Sequence, residues 1–296
     1  MSRPQAYVTN LELRASNPDG TEGAGLSHSS EGLFLLHVLE LASYGEPRGC
    51  ATVLHDAGDH GARYEELAHA LAADGWAVAL PDLRGHGRSE GDRGHSWGFQ
   101  EVARDLDAIL DHLAYRLPDE PQVLIGQGVG ATQALAYACE RPGRVAALVL
   151  LSPLLEPRFQ PPQKKGGLRG MFSKIGPQSA GSIGWSPDER TGDSAAAAAI
   201  RADEHMHDAI TLRGVEAFGE ALDRVQRGAA ALKTPALILH GQDDPIAEPA
   251  RSLALARDGI EVRVLEGLRH DLAHEKNADE TQRAIATWID KTVPRG

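Results

Sequence analysis

The stretch Gln122-Val123-Leu124-Ile125-Gly126-Gln127-Gly128-Val129-Gly130-Ala131 decides the fold. An apolar run, Gln122–Ile125, meets alternating glycines, and helix-forming residues then continue to Glu140. That order predicts a strand, a tight glycine turn and a helix over Val129–Glu140. The same alternation extends outward in both directions. Short apolar runs at Ala51–His55, Trp76–Leu80, Val145–Leu151, Ala236–His240 and Val262–Leu265 read as buried strands. Tyr64–Asp74, Phe99–Leu117, Arg251–Arg257 and Glu280–Lys291 read as helices. Leu33–Leu41 reads as an edge strand, and the polar residues 1–32 as loop or frayed edge structure. Strands alternating with helices define an α/β class with a mostly parallel central sheet and helices on both faces.

The rhythm breaks over 153–230, which opens on Pro153, Pro157, Pro161 and Pro162. Residues 1–152 and 231–296 are therefore expected to form the core and 153–230 an inserted helical cap. Its expected helices are Ala195–Met206 and Ile210–Val225; a long disordered insertion is the competing reading. An insertion late in an open sheet lies near the carboxyl ends of the strands, where ligands bind.

The chain has 296 residues, with Lys+Arg 30 against Asp+Glu 42 and a formal net charge of −12. A spread acidic balance argues against nucleic acid as a partner and against a basic membrane-binding face. The two cysteines, Cys50 and Cys139, are no disulfide framework, although one bridge between them stays open. The polar start at Met1-Ser2-Arg3-Pro4-Gln5 carries no signal-peptide pattern, and no run approaches the length of a membrane span. A cytoplasmic location is the expectation. No metal cluster and no cofactor are expected.

Strand, glycine turn and helix serve two chemistries. One is a dinucleotide fingerprint, for which Gly126, Gly128 and Ala131 match G-x-G-x-x-A. It requires an acidic residue at the end of the next strand, but Val145–Leu151 ends in Ser152-Pro153. The other is the nucleophile elbow G-x-S-x-G, with Gly128 where the serine belongs. It requires an acid and then a histidine downstream, each after a strand. Gly241-Gln242-Asp243-Asp244 and Glu266-Gly267-Leu268-Arg269-His270 meet that requirement, although Asp243, Asp244 and Asp271 also read as plain surface carboxylates.

Beyond these, His55-Asp56-Ala57-Gly58-Asp59-His60-Gly61-Ala62-Arg63-Tyr64 resembles the oxyanion loop of monoacylglycerol lipases and lysophospholipases. Asp82-Leu83-Arg84-Gly85-His86-Gly87-Arg88-Ser89-Glu90-Gly91 and Arg93-Gly94-His95 are similar to the same α/β hydrolases of the serine aminopeptidase-like group, and the likeness runs over about residues 45–292. It implies an α/β-hydrolase fold and an ester-hydrolase ancestry. It implies Asp244 as the triad acid, His270 as the base and the amides of Ala57 and Val129 as the oxyanion hole. It places His55, Asp56 and Gln127 at the substrate pocket, with a small acyl or ester-like ligand under the cap.

Three departures stand against that pattern. Glycine at 128 has no oxygen to form an acyl-enzyme, a loss on the order of 10⁶ in rate. Asp56 stands where the family has glycine, and an anionic side chain there crowds or repels a developing oxyanion. The segment Gln160–Gly167 is polar where membrane-docking lipases expose apolar helix, leaving only Leu168, Met171, Phe172 and Ile175 for a small apolar patch. The expectation is a pseudo-hydrolase with little serine-type activity. A slow hydrolase or lyase using water activated by His270, and a non-catalytic scaffold, are the alternatives. Gly128 is either a natural loss or an engineered knock-out, and Asp56 and the polar cap favour the first.

Overall fold

The computed structural model describes residues 6–14, 33–159 and 176–293. Its strands in chain order are β1 (Tyr7–Arg14), β2 (Leu33–Leu41), β3 (Gly49–Leu54), β4 (Trp76–Pro81), β5 (Gln122–Gln127), β6 (Ala147–Leu151), β7 (Ala180–Ser182), β8 (Ala209–Thr211), β9 (Ala236–Gly241) and β10 (Ile260–Leu265). The helices are α1 (Glu65–Ala73), α2 (Phe99–Arg116), α3 (Gly128–Glu140), α4 (Pro187–Arg190), α5 (Ser194–Ala202), α6 (Leu212–Gly228), α7 (Pro249–Leu253) and α8 (Ala278–Thr292).

Eight strands form one sheet in the order β1-β2-β4-β3-β5-β6-β9-β10. From β4 to β10 neighbours run parallel, whereas β2 is antiparallel to both β1 and β4. Every residue of β3, β5, β6 and β9 is buried, because helices cover both faces of a parallel sheet. One apolar core packs α2, α3 and the inner part of α6 on one face, through Leu106, Ile109, Leu135 and Val225. The other packs α1 and α8 on the opposite face, through Leu67, Leu71, Ile285 and Trp288. Each large aliphatic side chain fully buried there contributes roughly 1.5–3 kcal/mol.

Several expectations are corrected. Leu33–Leu41 is not the edge strand: β1 pairs with it along its whole length and takes the edge. Leu11 and Leu13 reach the core from β1 while Asn10 and Glu12 alternate with them, a half-buried pattern that the polar average of the segment concealed. Ala195–Met206 is helical only to Ala202. Ile210 lies in a two-stranded ribbon, and α6 starts after it, where Thr211 accepts a hydrogen bond from the Gly214 amide as N-cap. The helix read at Arg251–Arg257 is α7, one short turn started by Pro249. Cys50 and Cys139 are free thiols, so no disulfide joins them. The polar Gln160–Gly167 run and the apolar Leu168, Met171, Phe172 and Ile175 lie outside the described residues.

The described part of the segment between β6 and β9, residues 152–159 and 176–235, packs against the loops at the carboxyl ends of the sheet. The His207 amide donates to the Gly58 carbonyl at 2.9 Å, and the Thr211 amide to the Gly94 carbonyl at 3.1 Å. Phe159, Ile183, Ile210 and Phe218 of this segment pack with Ala57 and Val129 of the core.

Candidate active site

The turn from β5 into α3 places Gly128 at φ +54°. In this left-handed region a side chain costs on the order of 1–3 kcal/mol, whereas glycine has no Cβ to clash. Asp244 follows β9 and His270 follows β10, both at the carboxyl end of the sheet. His270 Nδ1–H donates to Asp244 Oδ2 at 2.8 Å. Asp244 is oriented by its own loop, since its Oδ1 accepts from the Ile246 and Ala247 amides at 2.8 and 3.0 Å. His240 Nε2 lies 3.1 Å from Oδ2. Both side chains of the Asp244–His270 pair are fully buried. Burial opposes ionisation of Asp244, but the His270 charge and the hydrogen bonds from His240 and His270 hold its carboxyl far below the usual range. Asp243, one residue earlier, is exposed.

Asp56 stands beside that pair. Its Oδ1 accepts the Val129 amide at 2.8 Å, and its Oδ2 lies 3.2 Å from His270 Nε2. A Cβ built on Gly128 would overlap this carboxyl, 2.8 Å from Oδ2 and closer still to Oδ1. The carboxylate therefore fills the space that a side chain at the elbow would need, and it takes the amide expected to serve an oxyanion. The two departures read separately in the sequence, glycine at 128 and aspartate at 56, are one steric exchange.

Arg190, at the end of α4, closes the ionic cluster. Its Nη1 lies 3.2 Å from Asp56 Oδ2 and its Nη2 donates to the Ala57 carbonyl at 2.7 Å. The guanidinium lies over the Trp185 ring at 5.2 Å, and the same ring stands 5.7 Å from His270. The helix is set by Ser186 and Glu189, whose side chains and amides cap each other reciprocally. The Asp271 amide donates to the Arg190 carbonyl at 2.7 Å, which ties α4 to the histidine loop.

Burial alone would strip His270 of its proton. The Asp244 charge and hydrogen bond, joined by those of Asp56, reverse this and raise its pKa to about 10. The resting cluster is thus two carboxylates, Asp56 and Asp244, with two cations, His270 and Arg190. Buried ions are stable only in such mutual contact. A stability trend follows. The folded pKa of His270 lies above the unfolded value near 6.5, so its contribution is fully present below about pH 6.5 and is lost as pH rises toward about 10. Urea unfolding at steps across that interval should show falling stability, with a flatter profile in His270→Gln; parallel profiles would contradict the assignment.

The remaining sequence-predicted residues divide. His55 borders the site, but both ring nitrogens are engaged: Nε2 accepts the Leu83 amide at 2.9 Å, so Nδ1–H donates to the Asp56 carbonyl at 2.7 Å. Burial lowers its pKa and keeps it neutral. Gln127 is a correction. It lies outside the cleft wall, and its Nε2 donates to the His270 carbonyl at 2.7 Å, holding the histidine loop from beneath. Ala57 lines the cleft, with its carbonyl bound to Arg190. The cleft, with an empty volume of about 680 Å³ including its open mouth, runs from Asp56 and Val129 past Leu83 and His86 to His95 and Phe218. His86 and His95 are also held neutral by burial, and the charged groups of the wall are Asp56 and the Arg84–Asp105 ion pair at 2.6 Å. Arg190 was not anticipated. The Ser186-Pro187-Asp188-Glu189 capping pattern was available to announce the helix, but nothing local shows its arginine turning inward.

An α/β sheet with an elbow, an acid and a histidine at successive strand ends defines an α/β-hydrolase-fold protein. Residues 45–277 match the serine aminopeptidase S33 family, and the chain belongs to that family. Human monoglyceride lipase is 30% identical over 261 residues, covering 83% of this chain and 84% of the human protein. The monoacylglycerol lipase of Mycolicibacterium smegmatis is 28% identical over 250 residues, covering 82% of this chain and 89% of that protein. The crystal structure of the Paleococcus ferrophilus monoacylglycerol lipase superposes with a TM-score of 0.74 at 26% identity, covering 86% of this chain and 98% of that one. No helix among the described residues is long and apolar enough to cross a membrane.

Proposed function

We propose that this chain is a monoacylglycerol-lipase-like hydrolase fold in which serine-type ester hydrolysis is shut off, a pseudo-hydrolase with respect to its family's reaction. The observation that carries the reading is the Asp56 carboxylate, which overlaps the position of a Cβ at 128 while accepting the Val129 amide. Three requirements of acyl transfer fail together. Residue 128 offers no hydroxyl. An oxyanion donor is taken by an anion. His270, protonated between two carboxylates, cannot accept a proton from an attacking group. The last point also weighs against direct activation of water by His270 in the resting state.

The cleft beside Asp56 stays open and suits a neutral, mostly apolar ligand. An amphiphile with an acyl or alkyl tail is the class that fits it. A fluorophosphonate probe and p-nitrophenyl butyrate test the reading on the unaltered chain. No probe adduct and a rate at buffer background are expected. Stoichiometric labelling of any residue, or ester turnover abolished by the probe, would contradict it.

A further inference from the structure

We propose that the cleft is built for an apolar alcohol, a molecule with a hydrocarbon body and a hydroxyl that His95 and Gln133 hold. This rests on the reading of the cleft as an open site for a mostly apolar ligand, and it supplies that ligand's polar group.

His95 and Gln133 both line the cleft. His95 precedes α2, and Gln133 lies on α3 one turn past Val129, about 6 Å farther along the helix axis. Each carries a buried polar atom, His95 Nε2 and Gln133 Oε1, that makes no hydrogen bond. Such atoms are rare in folded interiors, because burial removes water and leaves the group unpaired. His95 is only 8% exposed, and its ring is not free to turn toward another partner. Nδ1 lies 2.9 Å from Thr211 Oγ1, and Trp97 packs edge-on at 4.7 Å. Thr211 is fixed in turn as the N-cap of α6, where it accepts the Gly214 amide at 3.0 Å.

The chemistry of the wall selects among polar groups. A carboxylate ligand meets like charge, since Asp56 and Asp105 stand in the same wall. An ammonium finds no free anion. Asp56 is paired with Arg190 and His270, and Asp105 is held by Arg84 through contacts of 3.0 and 2.6 Å. A carbonyl or ether offers no proton to Gln133 Oε1, which can only accept. A hydroxyl is neutral and donates to Gln133 Oε1. It also serves a neutral His95, because it accepts from an Nε2–H and donates to a bare Nε2. The hydrocarbon body packs on Leu83, Val102, Ile210 and Phe218.

In a wall without polar partners a hydroxyl gains nothing over an ether of the same size, since both leave water unpaired. Here the hydroxyl pairs atoms that the ether leaves unsatisfied, so the two affinities separate.

Isothermal titration calorimetry of the unaltered chain compares 1-octanol with 1-methoxyheptane, an isostere of equal heavy-atom count that accepts a hydrogen bond and donates none. The alcohol is expected to bind about 10-fold tighter, a ratio that hydrogen bonds of ordinary net strength supply. The advantage should shrink in Gln133→Leu and in His95→Leu, while retained ether binding reports an intact cleft in each. Should one variant fail to fold, the other carries the comparison. Equal affinity for alcohol and ether would overturn the proposal and leave the open apolar cleft standing. So would an advantage that persists undiminished in a folded variant that still binds the ether, because the hydroxyl would then be held elsewhere. Binding of neither molecule would overturn the open cleft and this proposal together. The fluorophosphonate result is independent of all three, so the closed serine site is judged separately.

Discussion

Asp56→Gly combined with Gly128→Ser is expected to produce ester hydrolysis that neither substitution produces alone. Gly128→Ser by itself pushes a hydroxymethyl group into the Asp56 carboxyl, because even a Cβ at 128 overlaps it. It also leaves the Val129 amide occupied and His270 protonated. Asp56→Gly by itself frees the amide and removes a carboxylate from His270, but supplies no hydroxyl. Together they place an oxygen at the elbow, clear the oxyanion site and return His270 toward a neutral base already oriented by Asp244 at 2.8 Å. A missing nucleophile costs on the order of 10⁶ in rate. The double variant should regain a fraction of that, on the order of 10³ over either single variant, with p-nitrophenyl butyrate as substrate and a fluorophosphonate adduct at position 128. Equal activity in Gly128→Ser and the double variant would show that the two positions are independent, contrary to the steric exchange.

Arg190→Met is expected to destabilise the fold by about 3–5 kcal/mol, since it strips a buried carboxylate of a cationic partner. The guanidinium is 4% exposed, so solvent cannot replace it. Its loss also leaves the Ala57 carbonyl without the hydrogen bond from Nη2. Asp56→Asn should be costly for the complementary reason, because Arg190 stays buried while its anion is gone. The pair Arg190→Met with Asp56→Asn should lose less than the two single losses combined, by roughly 1–3 kcal/mol. Urea midpoints of the four proteins give the cycle. Strict additivity would show that the contact at 3.2 Å carries no energy.

Much of this protein was legible because local patterns encode local structure. Continuous apolar runs marked the central strands, and Gly128 between a strand and a helix marked the elbow. Asp244 and His270 were legible because each follows a strand by a short loop. β1 was concealed because a half-buried edge strand alternates with polar residues, and its average resembles loop. Gln127 was misassigned to the pocket because adjacency to the elbow suggests exposure. As the last residue of β5 it instead turns under the histidine loop. Asp56 was read as an obstruction to chemistry at the elbow, but not as the group that occupies it. That requires Arg190, 134 residues away on a short helix of the inserted segment. Neither segment carries a trace of the other, since an ion pair between distant loops depends on how the whole chain folds.

The contact between Asp56 and His270 is the point on which the closed serine site depends. It is tested most directly by ¹⁵N NMR of the His270 ring across pH in the chain and in Asp56→Asn. The account predicts both ring nitrogens protonated at neutral pH, with a midpoint near 10 that falls when the Asp56 charge is removed. A neutral His270 at pH 7, or the same midpoint in both proteins, would contradict it.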